Sequence, residues 1–139
     1  MERGRLVLGL IAGVVILVTS AVHSLIGWPQ LRRALTAADT PADLIVALSI
    51  GWHFAGLAML VFGAMAILLF ADALRGRPVS LRPVVLIAIA YLVFGTWSLT
   101  VSSLDPSFLA FFVSGILLLV GAWSRPGAAP DGKPTTPSS

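Results

Sequence analysis

Residues 44–71, LIVALSIGWHFAGLAMLVFGAMAILLFA, contain no Asp, Glu, Lys or Arg, and His53 is their only titratable side chain. As a helix rising ~1.5 Å per residue the stretch is ~42 Å long, more than the ~30 Å hydrocarbon thickness of a bilayer. It reads as a membrane span. Around it the chain offers three further spans, two connectors and a polar tail.

Composition sets the outer bounds. Apolar residues make up 58% of the 139 and charged residues 11%, where a soluble domain has about 25% charged residues. A water-soluble core is excluded, and four spans use nearly all the length, leaving no separate aqueous domain. The expected fold is all-α, a transmembrane antiparallel four-helix bundle with spans over about 6–28, 41–75, 84–104 and 106–123. From Ser124 the tail SRPGAAPDGKPTTPSS has nothing to bury and is expected to be disordered in the cytoplasm. The chain has no cysteine, which removes disulfides, thiolate metal sites and thiol nucleophiles.

MERGR places two arginines before the first apolar run, as a secretory signal also does, and Thr19-Ser20-Ala21 could be cut. The apolar run continues to Trp28, long enough to span, so it is kept as span one. Gly9, Ala12, Gly13, Ile16, Ser20, His23 and Gly27 share one side at helical spacing, and Gly9 and Gly13 form a GxxxG pair that lets a second backbone approach. Gly27-Trp28-Pro29 is expected to end this helix. Residues 30–38 then form a short surface helix or a polar loop.

Thr40-Pro41-Ala42-Asp43 predicts the start of the central span, with Thr40 as cap. Within it Ser49, His53, Gly56, Leu60, Gly63 and Ile67 share a face, which would turn His53 inward. Gly76 is the expected C-terminal cap, with Pro78 beyond. Span three carries Tyr91, Gly95, Ser98 and Ser102 on one face and Trp97 on another. Asp105-Pro106 caps span four directly, making a tight hairpin with span three, and Ser107, Ala110, Ser114 and Gly121 form its stripe.

Orientation follows from charge. In a four-span layout Arg3, Arg5, Arg75, Arg77, Arg82, Arg125 and Lys133 share a side, against Arg32 and Arg33 on the other. Positive residues stay inside, so both termini are expected in the cytoplasm of a cell whose inner membrane holds the protein. The net charge of +3 is of this origin and does not indicate nucleic acid.

Chemistry has few carriers. His23 and His53 lie at similar depth in the outer half, with Ser20, Ser24, Ser49, Ser98, Thr100 and Ser102. The plain reading is hydrogen bonding between helices. The sharper reading is a pocket in which His23 and His53 ligate a haem b axially, or in which His53, Trp52, Ser49, Tyr91 and Trp97 line a quinone site. No cofactor is the primary expectation. A carboxylate di-metal site lacks intramembrane acids, zinc lacks ligands, and a Ser-His nucleophile lacks an orienting acid.

AVHSLIGWP near the outer end of span one, the WHFAGLAMLVFG run and the Arg-bearing connector together resemble the small four-span bacterial membrane proteins of the DoxX-like kind or of a neighbouring uncharacterised family. The resemblance covers 6–123 in layout. It implies an inner-membrane location and, in some members, a role beside redox enzymes; no site residues carry over. The function expected is a non-enzymatic structural or accessory subunit whose partners are the bilayer and other membrane subunits or a second copy. The alternatives are a haem- or quinone-binding electron-transfer subunit and a small-solute or lipid transporter acting as a homo-oligomer.

Overall fold

A computed structural model describes residues 2–123; the expected disordered tail lies outside the described residues. All of the regular structure described is helical: α1 (Glu2–Val22), a π-helical turn (His23–Gly27), α2 (Trp28–Ala37), α3 (Ala42–Leu74), α4 (Arg82–Val101), a 3-10 turn (Pro106–Phe108) and α5 (Leu109–Ala122). α1, the π-turn and α2 form one continuous rod, packed antiparallel to α3 on one side and to α5 on the other, and α4 pairs antiparallel with α5. The order across the bundle is therefore α3, α1, α5, α4. α3 and α4 meet only slightly, which leaves a seam between them.

Three helices, Arg3–Ala37, Ala42–Leu74 and Arg82–Val101, are long and apolar enough to cross a membrane. The 14-residue α5 with its three-residue 3-10 lead-in is shorter. Large apolar side chains such as Leu25, Ile50, Phe54, Leu68 and Leu86 are more than half exposed, as on a surface that meets lipid rather than water.

Where lipid solvates such a surface, close packing rather than hydrophobic burial joins helices, and glycine sets the approach. The side of α1 marked by Gly9, Ala12, Gly13, Ile16 and Ser20 is buried, as its spacing predicts. A Cβ on Gly63 would stand 2.8 Å from the Leu17 amide nitrogen and 3.0 Å from the Gly13 carbonyl, so backbones touch at the α1–α3 crossing. At one end the fully buried Phe70 ring fills the space that Gly9 and Gly121 leave open, joining α1, α3 and α5. Gly95 against Phe112 and Gly115 against Ala88 do the same for α4 and α5.

Two local expectations are corrected. The first helix does not end at Gly27-Trp28-Pro29. Pro29 has no N–H to donate and crowds the preceding turn. The chain answers by widening over His23–Gly27, where the Trp28 amide reaches back five residues to the His23 carbonyl. The rod then continues to Ala37, so residues 30–38 are neither a loop nor a separate surface helix. Secondly, Thr40 does not cap α3. Pro41 holds the N-cap position with no side-chain hydrogen bond, and Asp43 lies in the first turn.

The ends of three helices share one device. In each a residue with positive φ follows the last turn: Asp39 at 52°, Gly76 at 74° and Ser103 at 55°. The amide one residue later returns to a carbonyl five positions back: Thr40 to Leu35, Arg77 to Asp72 and Leu104 to Leu99. These are Schellman caps, and they satisfy carbonyls that would otherwise end unpaired. Asp105 accepts from the Ser107 amide at 2.8 Å as expected. That hydrogen bond holds its carboxyl below the usual carboxylate range.

Candidate functional site

The π-turn decides what the two histidines can do. On an α-helix of 3.6 residues per turn, positions 23 and 28 point well apart. An i→i+5 turn brings them close to one side. The result is a run of four rings. His23 stacks on Trp52 with centroids 4.1 Å apart and planes within 5°, Trp52 meets Trp28 at 6.2 Å, and Trp28 meets the edge of His53 at 5.6 Å.

Hydrogen bonds fix these rings. His23 Nε2–H donates to the Trp52 carbonyl at 3.1 Å, and Trp52 Nε1–H donates to the His23 carbonyl at 2.9 Å. The pair therefore clamps the widened turn to α3. Gly27 makes room for it, because a Cβ there would stand 3.0 Å from the Trp52 ring. His53 Nδ1–H donates to the Ser49 carbonyl one turn back at 2.8 Å, with the Ser49 hydroxyl at 3.4 Å. Below the rings, the buried Ser20 hydroxyl donates to the Gly56 carbonyl at 2.7 Å.

His53 is not turned into the bundle. It is exposed, while Trp52 is half-buried. The buried positions of α3 are Gly56, Met59, Gly63, Ala66 and Phe70, spaced three and four apart as in a heptad seam. The expected face shares both glycines, and its Ile67 packs against Gly13 of α1, but its Leu60 is exposed. A haem between His23 and His53 does not fit this arrangement. The two tryptophans fill the space between the imidazoles, and the His23 ring face and Nε2 are both engaged by Trp52.

The residues expected to line one pocket are divided. Trp97 is 60% exposed on the far side of α4, against Phe94. Ser49 and His53 stay on the flank of α3. Tyr91 instead joins His23 in the seam between α3 and α4, a cavity of about 210 Å³. Its walls are Ala55, Ala58, Met59 and Phe62 from α3, Ala90 and Phe94 from α4, and Phe111 from α5. Tyr91 is buried, and its hydroxyl has no hydrogen-bond partner among the described residues. No group of three or more His, Cys, Asp or Glu side chains placed to hold a metal occurs among the described residues.

Sequence reasoning missed Trp28 as a member of the ring cluster, because an interfacial Trp before a proline reads as an anchor. It also missed the seam, whose only composition signal is alanine at 55, 58 and 90. No family model, no curated protein and no solved structure matches the chain.

Proposed function

We propose that the protein is a non-enzymatic, multi-pass subunit of a bacterial inner membrane, both termini cytoplasmic, with a structural or accessory role of the kind its DoxX-like resemblance implies. The observation that carries this reading is the use made of the imidazoles. Each spends a ring nitrogen on a backbone carbonyl of the bundle, and His23 with Trp52 clamps the one irregular turn of the long rod. His23 is thereby occupied in joining two helices, and His53 bonds within its own helix, one turn back. The arginine distribution supports the orientation.

A reporter enzyme fused after Ser139 tests the orientation, and an absorption spectrum after haem supplementation tests the role. The expected results are a reporter active only in the cytoplasm and a colourless protein. A Soret band abolished by His23→Ala or His53→Ala would overturn the accessory reading in favour of electron transfer.

A second reading is favoured by the unpartnered Tyr91 hydroxyl. A flat, lipid-soluble molecule with a carbonyl oxygen, such as a quinone, could enter the seam from lipid and accept from Tyr91 beside His23. Solvent extraction of the purified protein distinguishes it: one quinone per chain, lost in Tyr91→Phe, supports this reading, and no retained quinone removes it.

A further inference from the structure

Where α1 begins and α3 and α5 end, the chain forms a larger, open cavity of about 560 Å³. Three arginines line it: Arg3 and Arg5 from the first turns of α1, and Arg77 from the connector after α3. Leu6, Leu81 and Trp123 line it as well. The only carboxylate paired with arginine among the described residues is that of Asp72, which meets Arg77 at 2.7 Å and Arg75 at 3.3 Å. Among the described residues Arg3 and Arg5 have no such partner, which leaves two arginines of the cavity wall without a carboxylate there.

Arg5 has one anchor. Its Nη1 donates to the Trp123 carbonyl at 2.9 Å, just past the end of α5, while its Nε is buried with no acceptor among the described residues. A buried guanidinium N–H is normally satisfied, most strongly by an anionic oxygen. Behind Arg5 and Trp123 an apolar groove of about 330 Å³ runs along Ile116, Leu119 and Val120 of α5. The cationic cavity and the hydrocarbon groove thus share two side chains.

A phosphate head joined to a hydrocarbon tail has that shape and charge. We propose that this end of the bundle binds one anionic phospholipid, with its phosphodiester among Arg3, Arg5 and Arg77 and an acyl chain along the α5 groove. A free phosphate would use the cavity and leave the groove empty. The groove is the reason for assigning the lipid. The accessory role and the seam are not premises of this site.

Native mass spectrometry of the full chain in mild detergent tests it, with phosphatidylglycerol, phosphatidylcholine, glycerol 3-phosphate and inorganic phosphate as probes. Phosphatidylglycerol is expected to bind at one per chain and to outlast phosphatidylcholine as detergent or collision energy is raised. Each arginine is worth roughly a fivefold change in affinity near an anionic surface. Arg3→Gln and Arg77→Gln should each weaken phosphatidylglycerol by about that factor, and Arg3→Lys should restore most of it. Arg3 makes no ion pair among the described residues, so its variant keeps the fold; a helical circular dichroism spectrum checks this. Equal retention of the two lipids, or unchanged binding in folded Arg3→Gln, would overturn the site. Glycerol 3-phosphate or inorganic phosphate binding as tightly as phosphatidylglycerol would overturn the lipid assignment.

Discussion

At the scale of single residues, the bundle depends on positions where a side chain is missing. Gly63 and Gly51 lie on the same helix, yet only Gly63 faces backbone. A Cβ at 63 would press on the Leu17 amide and the Gly13 carbonyl, neither of which can rotate away, whereas a Cβ at 51 meets nothing within 4 Å. Gly63→Ala should therefore force α1 and α3 apart and cost about 1–3 kcal/mol, the range for overpacking. Gly51→Ala should be neutral or stabilising by up to about 1 kcal/mol through helix propensity. Reversible unfolding of both variants in mixed micelles checks the contrast, and equal effects would remove the close crossing. Hydrogen bonding makes a similar point at His23 and Trp52, where each ring's N–H meets the other residue's carbonyl.

At the scale of elements, the caps carry a testable cost. Asp39 and Gly76 suit the left-handed conformation, but Ser103 and Leu104, at φ 55° and 67°, do not. A non-glycine residue there costs roughly 1–2 kcal/mol. Ser103→Gly should stabilise the α4–α5 hairpin by about 1 kcal/mol, read as a higher unfolding midpoint in the same micelles. An unchanged or lower midpoint would count against this cap. Much of the element layout was legible: the long apolar runs, Gly76 and Asp105 at their ends, the small-residue side of α1, and the Tyr91, Gly95 and Ser98 side of α4. Two features were not. A proline signals a helix end by local rules, and contact with Trp52 across the bundle holds the π-turn that carries the rod past Pro29. Gly56 and Gly63 are compatible with two stripes, one through Leu60 and Ile67, the other through Met59 and Ala66. Choosing between them needs the partner helix, and with the stripe goes the direction of His53. The candidate site was accordingly legible in its residue types and depth, but not in its facing.

At the scale of the whole molecule, the chain is a bundle in the order α3, α1, α5, α4, held by glycine crossings and surrounded by apolar side chains. The absence of cysteine makes single-cysteine spin labels clean reporters of this arrangement. The most direct measurement is electron paramagnetic resonance on the protein in lipid vesicles, with labels at 53, 59, 60, 66 and 68. Oxygen concentrates in the bilayer and a polar nickel complex in water, so the two relaxers separate lipid, water and protein interior. The burial pattern of α3 predicts low oxygen accessibility at 59 and 66 and high oxygen accessibility at 53, 60 and 68, with the nickel complex excluded from 60 and 68. High accessibility at 59 and 66 with protection at 53 and 60 would contradict it, and so would nickel contact along the whole of α3.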